Sequence, residues 1–189
     1  MRRLIYSLFI ISFLLTCLAG QSYCYAADSK LELEWEYLTS YSKGRLDRDI
    51  DTVSLHILKE IAKTGNKPIY RGITITRPTG SLTYHGQTLN RSAVGIGPTY
   101  MIRAKKHYSD KLSTALDISG SLILYDKAFP AGGRAFNFMW RIGPKLIYKT
   151  SEYSSINVGY TVMHVSNGFN SHNPGYEANG VSIGFVTKF

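Results

Sequence analysis

The feature that most limits how this chain can fold is a strict alternation of apolar and charged residues. In residues 30–41 the two kinds of side chain follow each other without a break: Leu31, Glu32, Leu33, Glu34, Trp35, Glu36 and Tyr37. Successive side chains of a β-strand point to opposite faces of its sheet. The segment therefore predicts a strand with one apolar face and one acidic face.

Comparable alternation recurs along the whole chain after residue 30. Polar or Gly/Pro-containing stretches separate eight candidate strands, which span roughly 30–41, 51–60, 68–77, 92–103, 112–125, 134–148, 154–166 and 177–189. The second segment is the least regular, because its sequence LHILKEIAK is also compatible with a short helix. The pattern predicts an all-β fold.

The polar faces decide between a soluble sandwich and a membrane barrel. Arg141 and Lys145 share a face with Asn137, while the opposite face of the same strand is apolar and aromatic. Such charges are costly in a soluble core unless all are paired. In the lumen of a narrow barrel they can pair with each other, and Glu34 and Asp117 are candidate partners for Arg141. We expect an eight-stranded antiparallel transmembrane β-barrel; a soluble β-sandwich or lipocalin-like barrel is the alternative.

The N-terminal segment predicts export. Two arginines precede an apolar run in MRRLIYSLFIISFLLTCLAG, which is typical of a secretory signal peptide. We expect residues 1–26 to be cleaved, leaving 27–189 as the barrel domain. Both cysteines, Cys17 and Cys24, lie in the removed segment, so no disulfide is expected.

Charge and the C-terminal residue point to the bacterial outer membrane. Removing Arg2 and Arg3 lowers the formal charge from +9 to +7, because residues 1–26 contain no acidic residue. A basic exported chain indicates an anionic surface or ligand rather than nucleic acid. The chain ends in Phe189, and a terminal aromatic residue is typical of bacterial outer-membrane proteins. Outer-membrane lipid is therefore the expected environment.

The segment HVSNGFNSHNPGYE, residues 164–177, joins the last two predicted strands. By parity, His164 and Ser166 continue the lipid-facing side of their strand, and Glu177 lies on the lipid-facing side of the next. Residues i and i+2 of a strand are about 6.5–7 Å apart on one face, within reach of a side-chain hydrogen bond. If Ser166 roughly opposes Glu177, the glutamate is a diagonal neighbour of His164.

These three side chains are the parts that acyl transfer needs. Ser166 is a poor nucleophile until His164 accepts its proton, and Glu177 would orient the imidazole and stabilise its charged form. The backbone N–H of Gly168 and the side chain of Asn173 are candidate donors for the oxyanion. Asn167 is expected to support the turn or the orientation of the serine.

The pattern H-x-S-N-G, followed by N-P-G-x-E and a final aromatic strand, resembles the active-site segment of the lipid A 3-O-deacylase (PagL) family. The family consists of eight-stranded outer-membrane barrels. The resemblance implies a serine esterase that removes the ester-linked 3-O-acyl chain from lipid A of lipopolysaccharide. It assigns the nucleophile to Ser166, the base to His164, the orienting carboxylate to Glu177 and the oxyanion donors to Gly168 and Asn173.

Other functions remain open from the sequence. An outer-membrane esterase or phospholipase could use the same three side chains on another lipid, and a non-enzymatic structural or adhesion barrel would not use them. A homodimer is also compatible with the sequence. We expect no cofactor and no metal, because a Ser-His-Glu site needs none and His56, His85 and His107 lack the spacing of metal ligands.

Overall fold

The computed structural model describes residues 29–40, 48–84, 86–167 and 174–188. These residues form nine β-strands, which are β1 (Lys30–Ser40), β2 (Arg48–Thr64), β3 (Lys67–Tyr84), β4 (Gln87–Ser92), β5 (Gly95–His107), β6 (Leu112–Phe129), β7 (Arg134–Lys149), β8 (Ser154–Ser166) and β9 (Tyr176–Lys188). The predicted signal peptide, residues 1–26, lies outside the described residues. Within the described part of the chain, no helix is long and apolar enough to cross a membrane.

Eight of these strands close into a ring of antiparallel pairs. β1 pairs with β2 and with β9, β2 pairs with β3, and the ladder runs on through β5, β6, β7 and β8 to β9. Closure leaves no open sheet edge within the ring, as a membrane-spanning sheet requires. The predicted eight-stranded antiparallel barrel is confirmed.

The ninth strand lies outside the ring and corrects the predicted strand ends. β3 continues to Tyr84 and pairs with β4 through six residue pairs, from Thr79↔Ser92 to Tyr84↔Gln87. The sequence predicts a polar connection over most of this stretch. A hairpin that extends beyond the membrane needs no apolar face. Its sequence therefore shows no strong alternation of apolar and polar residues, although its two strands are paired along their backbones.

Residues 48–64 form a strand, so the alternative of a helix at LHILKEIAK was wrong.

The outside of the barrel is apolar. Large hydrophobic side chains at alternate positions are more than a third exposed on every ring strand, and examples are Trp35, Ile57, Ile73, Ile102, Ile118, Leu146, Val158 and Ile183. In water a continuous apolar surface of this kind would be strongly unfavourable, whereas in a bilayer it contacts acyl chains. The exterior therefore excludes the soluble sandwich.

The lumen is filled in layers. At the end away from the chain termini, an apolar cluster closes the barrel; its members are Leu38, Ile50, Ala93, Ile123, Tyr125, Phe129, Met139, Met163, Val165, Tyr176 and Ala178. Ionised side chains fill the middle. Leu58, Tyr70 and Met101 form a smaller apolar cluster on the side of the termini.

The buried charges of the lumen are paired across the barrel. Arg103 donates to Glu32 over 2.8 and 2.9 Å and to Asp117 over 2.7 Å. Lys145 donates to Glu34 over 2.5 Å. Because each charge has a partner of opposite sign, the polar interior costs far less than isolated charges would.

Arg141 has one of its two predicted partners. Its Nη1 lies 3.3 Å from Glu34 and 3.1 Å from Glu36, so the pairing with Glu34 is confirmed. Asp117 pairs with Arg103 instead. Arg103 lies directly opposite Asp117 in the β5–β6 register, and this neighbour takes up both carboxylate oxygens.

Candidate active site

His164 lies on the outer face of the barrel near the end away from the chain termini. The strand alternates there, so Val165 is buried in the lumen while the side chain of His164 remains 30% exposed. His164 is directly opposite Glu177 in the β8–β9 register. Its Nδ1 is 3.4 Å from Oε1 of Glu177, whose side chain is 53% exposed. The two groups form an ion pair at the barrel surface when the imidazole is protonated.

The pairing differs from the prediction by two residues. The sequence predicts Glu177 opposite Ser166 and diagonal to His164, whereas the structure places it opposite His164. The two residues still share the outer face, because a shift of two positions preserves parity. In the observed β8–β9 register, the carboxylate lies closer to the imidazole than in the predicted register.

Ser166 is the last residue of β8 and lies on the same outer face. It is half-buried and sits two positions along the strand from His164. Its partner across the β7–β8 ladder is Phe138. Since Nδ1 of His164 faces Glu177, Nε2 is the ring nitrogen left to accept a proton from a serine.

Trp140 is a neighbour of the site whose role was not predicted from the sequence. It is paired with His164 across the β7–β8 ladder, and the two rings stack with centroids 5.7 Å apart and planes 24° from parallel. The indole is 48% exposed. The imidazole therefore lies between a carboxylate on one neighbouring strand and an aromatic face on the other, which restricts its rotation.

The apolar cluster supports the site from inside the barrel. Val165 and Tyr176 are a cross-strand pair directly adjacent to the pair formed by His164 and Glu177. Tyr176 packs edge-on against Phe129, and its hydroxyl lies 3.3 Å from that of Tyr125. Close packing on the inner face holds the two strands that carry the outer-face groups.

The remaining site residues lie in the β8–β9 connection. Gly168 and Asn173, the predicted oxyanion donors, fall outside the described residues. Asn167 directly follows Ser166 and is only 4% exposed. A buried asparagine at the strand end is compatible with the supporting role expected for it.

Among the described residues, one group of side chains inside the barrel has ligand atoms close enough to hold a metal ion. Glu34, Glu36 and His56 are all fully buried, and their ligand atoms lie within 4.8 Å of one another. The guanidinium of Arg141 already contacts all three, with Nη1 2.6 Å from Nε2 of His56. A cation among these ligands would have to displace a buried arginine, so the donor set does not fit a metal.

A comparison with models of known protein families agrees with the sequence resemblance. A family model described as lipid A 3-O-deacylase (PagL) matches residues 18–186. A search of curated proteins found no match. Among solved structures, the outer membrane enzyme PagL is 16% identical with a TM-score of 0.49, covering 85% of this chain and 99% of that one. An outer membrane channel from Pseudomonas putida F1 is 10% identical with a TM-score of 0.31, covering 89% and 97%.

The family model spans nearly all of the barrel and includes each strand that carries the outer-face groups. The chain therefore belongs to the lipid A 3-O-deacylase (PagL) family.

Proposed function

We propose that this protein hydrolyses the ester-linked 3-O-acyl chain of lipid A with Ser166 as nucleophile, His164 as general base and Glu177 as the carboxylate that orients the base. The observation that carries the proposal is the pair formed by His164 and Glu177, with Nδ1 and Oε1 3.4 Å apart on the lipid-facing surface. Hydrogen bonds of this kind are often long before substrate binds. Family membership supports the reaction.

The chemistry follows from these positions. Nε2 of His164 takes the proton of Ser166 as Oγ attacks the ester carbonyl carbon, which becomes tetrahedral and negatively charged at oxygen. The imidazolium, stabilised by Glu177, then protonates the sugar oxygen as its bond to the carbonyl carbon breaks. Water attacks the acyl-serine with His164 again as base, releasing a fatty acid and restoring the serine. Gly168 and Asn173 would donate to the oxyanion.

The surface beside the site suits an acyl chain. Ile156, Val158, Tyr160 and Val162 line the outer face of β8 between Ser154 and His164, and each is at least 40% exposed. A chain lying along this strip would bring its ester to the level of Ser166. Lipid-facing chemistry needs no opening through the barrel, which agrees with a lumen filled by packed side chains.

The location follows from the fold and the family together. An apolar exterior on a closed barrel requires a bilayer, and lipid A is a component of the bacterial outer membrane. The protein is an outer-membrane deacylase of the lipid A 3-O-deacylase family, with lipopolysaccharide as the proposed substrate.

Mass spectrometry of lipid A tests the proposal in cells that carry the wild type, Ser166→Ala or Ser154→Ala. Ser154 lies on the same outer face of the same strand, at its opposite end, so it is a matched control. We expect the wild type and Ser154→Ala to remove one 3-O-acyl group, and Ser166→Ala to leave lipid A intact.

Two results would contradict the proposal. Unchanged lipid A with the wild type, together with release of fatty acid from a phospholipid, would indicate an esterase for another lipid. Unchanged lipids of every class would indicate a barrel without hydrolytic function.

A further inference from the structure

A second polar site lies at the end of the barrel that holds the chain termini, opposite the end with His164. The lumen opens there into a cavity of about 150 Å³. That space is roughly ten times what a single water needs. Its polar lining includes Lys30, Lys63, Lys105, His107, Asn66 and Ser155.

Among the described residues, the lining is rich in cations and contains no carboxylate. Lys30 is paired with Glu60 over 2.9 Å, and Arg103 at the floor is paired with Glu32 and Asp117. Within the described residues, Lys63 and Lys105 form no ion pair. Lys30, Lys63 and Lys105 therefore face the same small cavity. The nearby carboxylate of Glu60 is already paired with Lys30, so the cavity keeps a positive potential.

The backbone around the cavity is fixed rather than a loose surface loop. The N–H of Lys105 donates to the carbonyl of Asn66 over 3.1 Å, which ties β5 to the tight turn between β2 and β3. Nδ1 of His107 lies 3.0 Å from the hydroxyl of Ser113 on β6. The guanidinium of Arg103 stacks 5.2 Å from the ring centroid of Tyr70, which forms part of the floor.

We propose that this cavity binds the phosphate group of an anionic ligand, supplied either by the headgroup of a phospholipid in the adjacent leaflet or by free inorganic phosphate. Ammonium, imidazole, amide and hydroxyl groups all donate hydrogen bonds to phosphate oxygens, and the positive charge adds to each bond. The site is separate from the outer-face esterase and does not depend on the proposed reaction.

The test compares two double variants of the full chain purified in non-ionic detergent. Lys63→Gln with Lys105→Gln removes the two unpaired ammonium groups of the cavity. Lys67→Gln with Lys106→Gln removes the same charge from neighbouring exposed positions that do not line it. Calorimetric titration with inorganic phosphate and native mass spectrometry with phosphatidylglycerol provide the two measurements.

We expect the cavity variant to bind its ligand at least about tenfold more weakly than the wild type and the control variant. Weaker phosphate binding in the cavity variant identifies the free anion as a ligand. Loss of retained phosphatidylglycerol, without phosphate binding by the wild type, identifies the headgroup. Binding of neither ligand by the wild type, or equal losses in both double variants, would overturn the proposal.

Discussion

Two clusters of carboxylate and imidazole groups lie on opposite sides of one barrel wall, and their surroundings differ. The interior cluster, which consists of Glu34, Glu36, His56 and Arg141, is buried, with no member more than 4% exposed. In the outer site, which consists of His164, Ser166 and Glu177, the side chains of His164 and Glu177 are 30% and 53% exposed.

Under the proposed mechanism, burial and charge density alone do not locate the chemistry of this barrel. The interior cluster is enclosed by the barrel wall and held by a buried guanidinium, so loss of one partner would destabilise the fold. The outer site is sparser but lies where an acyl chain can reach it. Substitutions at four positions test this division of roles, in order of their expected effect on the rate of deacylation.

The largest effect is expected from His164→Ala. Loss of a general base typically lowers the rate by about a hundredfold to ten-thousandfold, and here it also leaves the serine protonated. Initial rates on purified lipid A in detergent micelles measure the change. Tyr153→Ala, which removes an exposed aromatic ring from the turn at the opposite end of the barrel, is the control and should keep the wild-type rate. A His164→Ala rate within twofold of the wild type would remove His164 from the mechanism.

Glu177→Ala should lower the rate by about 10- to 100-fold. A fully buried orienting carboxylate would contribute more, because solvent weakens the interaction of an exposed carboxylate with the imidazolium. Glu177→Gln should lose a similar amount, since it keeps the shape but cannot stabilise an imidazolium. The same micelle assay measures both, with the exposed Glu152→Gln as control. Wild-type rates in both Glu177 variants would show that the ion pair has no catalytic role.

Trp140→Ala should lower the rate by about 3- to 30-fold, the range that a cation–π contact with the imidazolium supports. Trp140→Phe should lose less, because it keeps an aromatic face against His164. Trp35→Ala, which removes an equally exposed indole on β1, is the control. A change in apparent substrate affinity alone would indicate that Trp140 contacts lipid and does not position the histidine.

Arg141→Met should leave the rate per folded molecule unchanged while destabilising the barrel. Removing one partner of a buried pair costs about 3–5 kcal/mol, because Glu34 and Glu36 lose their shared cation. Denaturant unfolding in lipid vesicles measures the free energy of unfolding, with the exposed Arg71→Met as control. Loss of activity at wild-type stability would give the interior cluster a role in chemistry.

The alternation of apolar and polar residues was sufficient to predict most of the fold. Because side-chain parity follows directly from the sequence, the faces of His164, Ser166 and Glu177 could be predicted without coordinates, and the structure places all three outside. Register could not be predicted in the same way. The length of the β8–β9 connection does not fix the pairing, so Glu177 was expected opposite Ser166 and lies opposite His164.

The position of Trp140 opposite His164 could have been predicted from the sequence. β7 and β8 are joined by a short turn, and counting back from the pair formed by Tyr148 and Ile156 leads to Trp140 opposite His164. The β3–β4 hairpin could not be predicted from the sequence, because its strands lack an apolar face. The choice between Glu34 and Asp117 as partner of Arg141 also depended on distances across the lumen, which no local pattern contains.

The most direct test of outer-face chemistry is covalent labelling with a long-chain alkyl fluorophosphonate, a reagent that reacts with activated serines. Intact-mass measurement and peptide mapping locate the adduct. We predict one adduct, on Ser166, in the wild type and in Arg141→Met, and none in His164→Ala. A label on a different serine, or undiminished labelling of Ser166 without His164, would contradict the account.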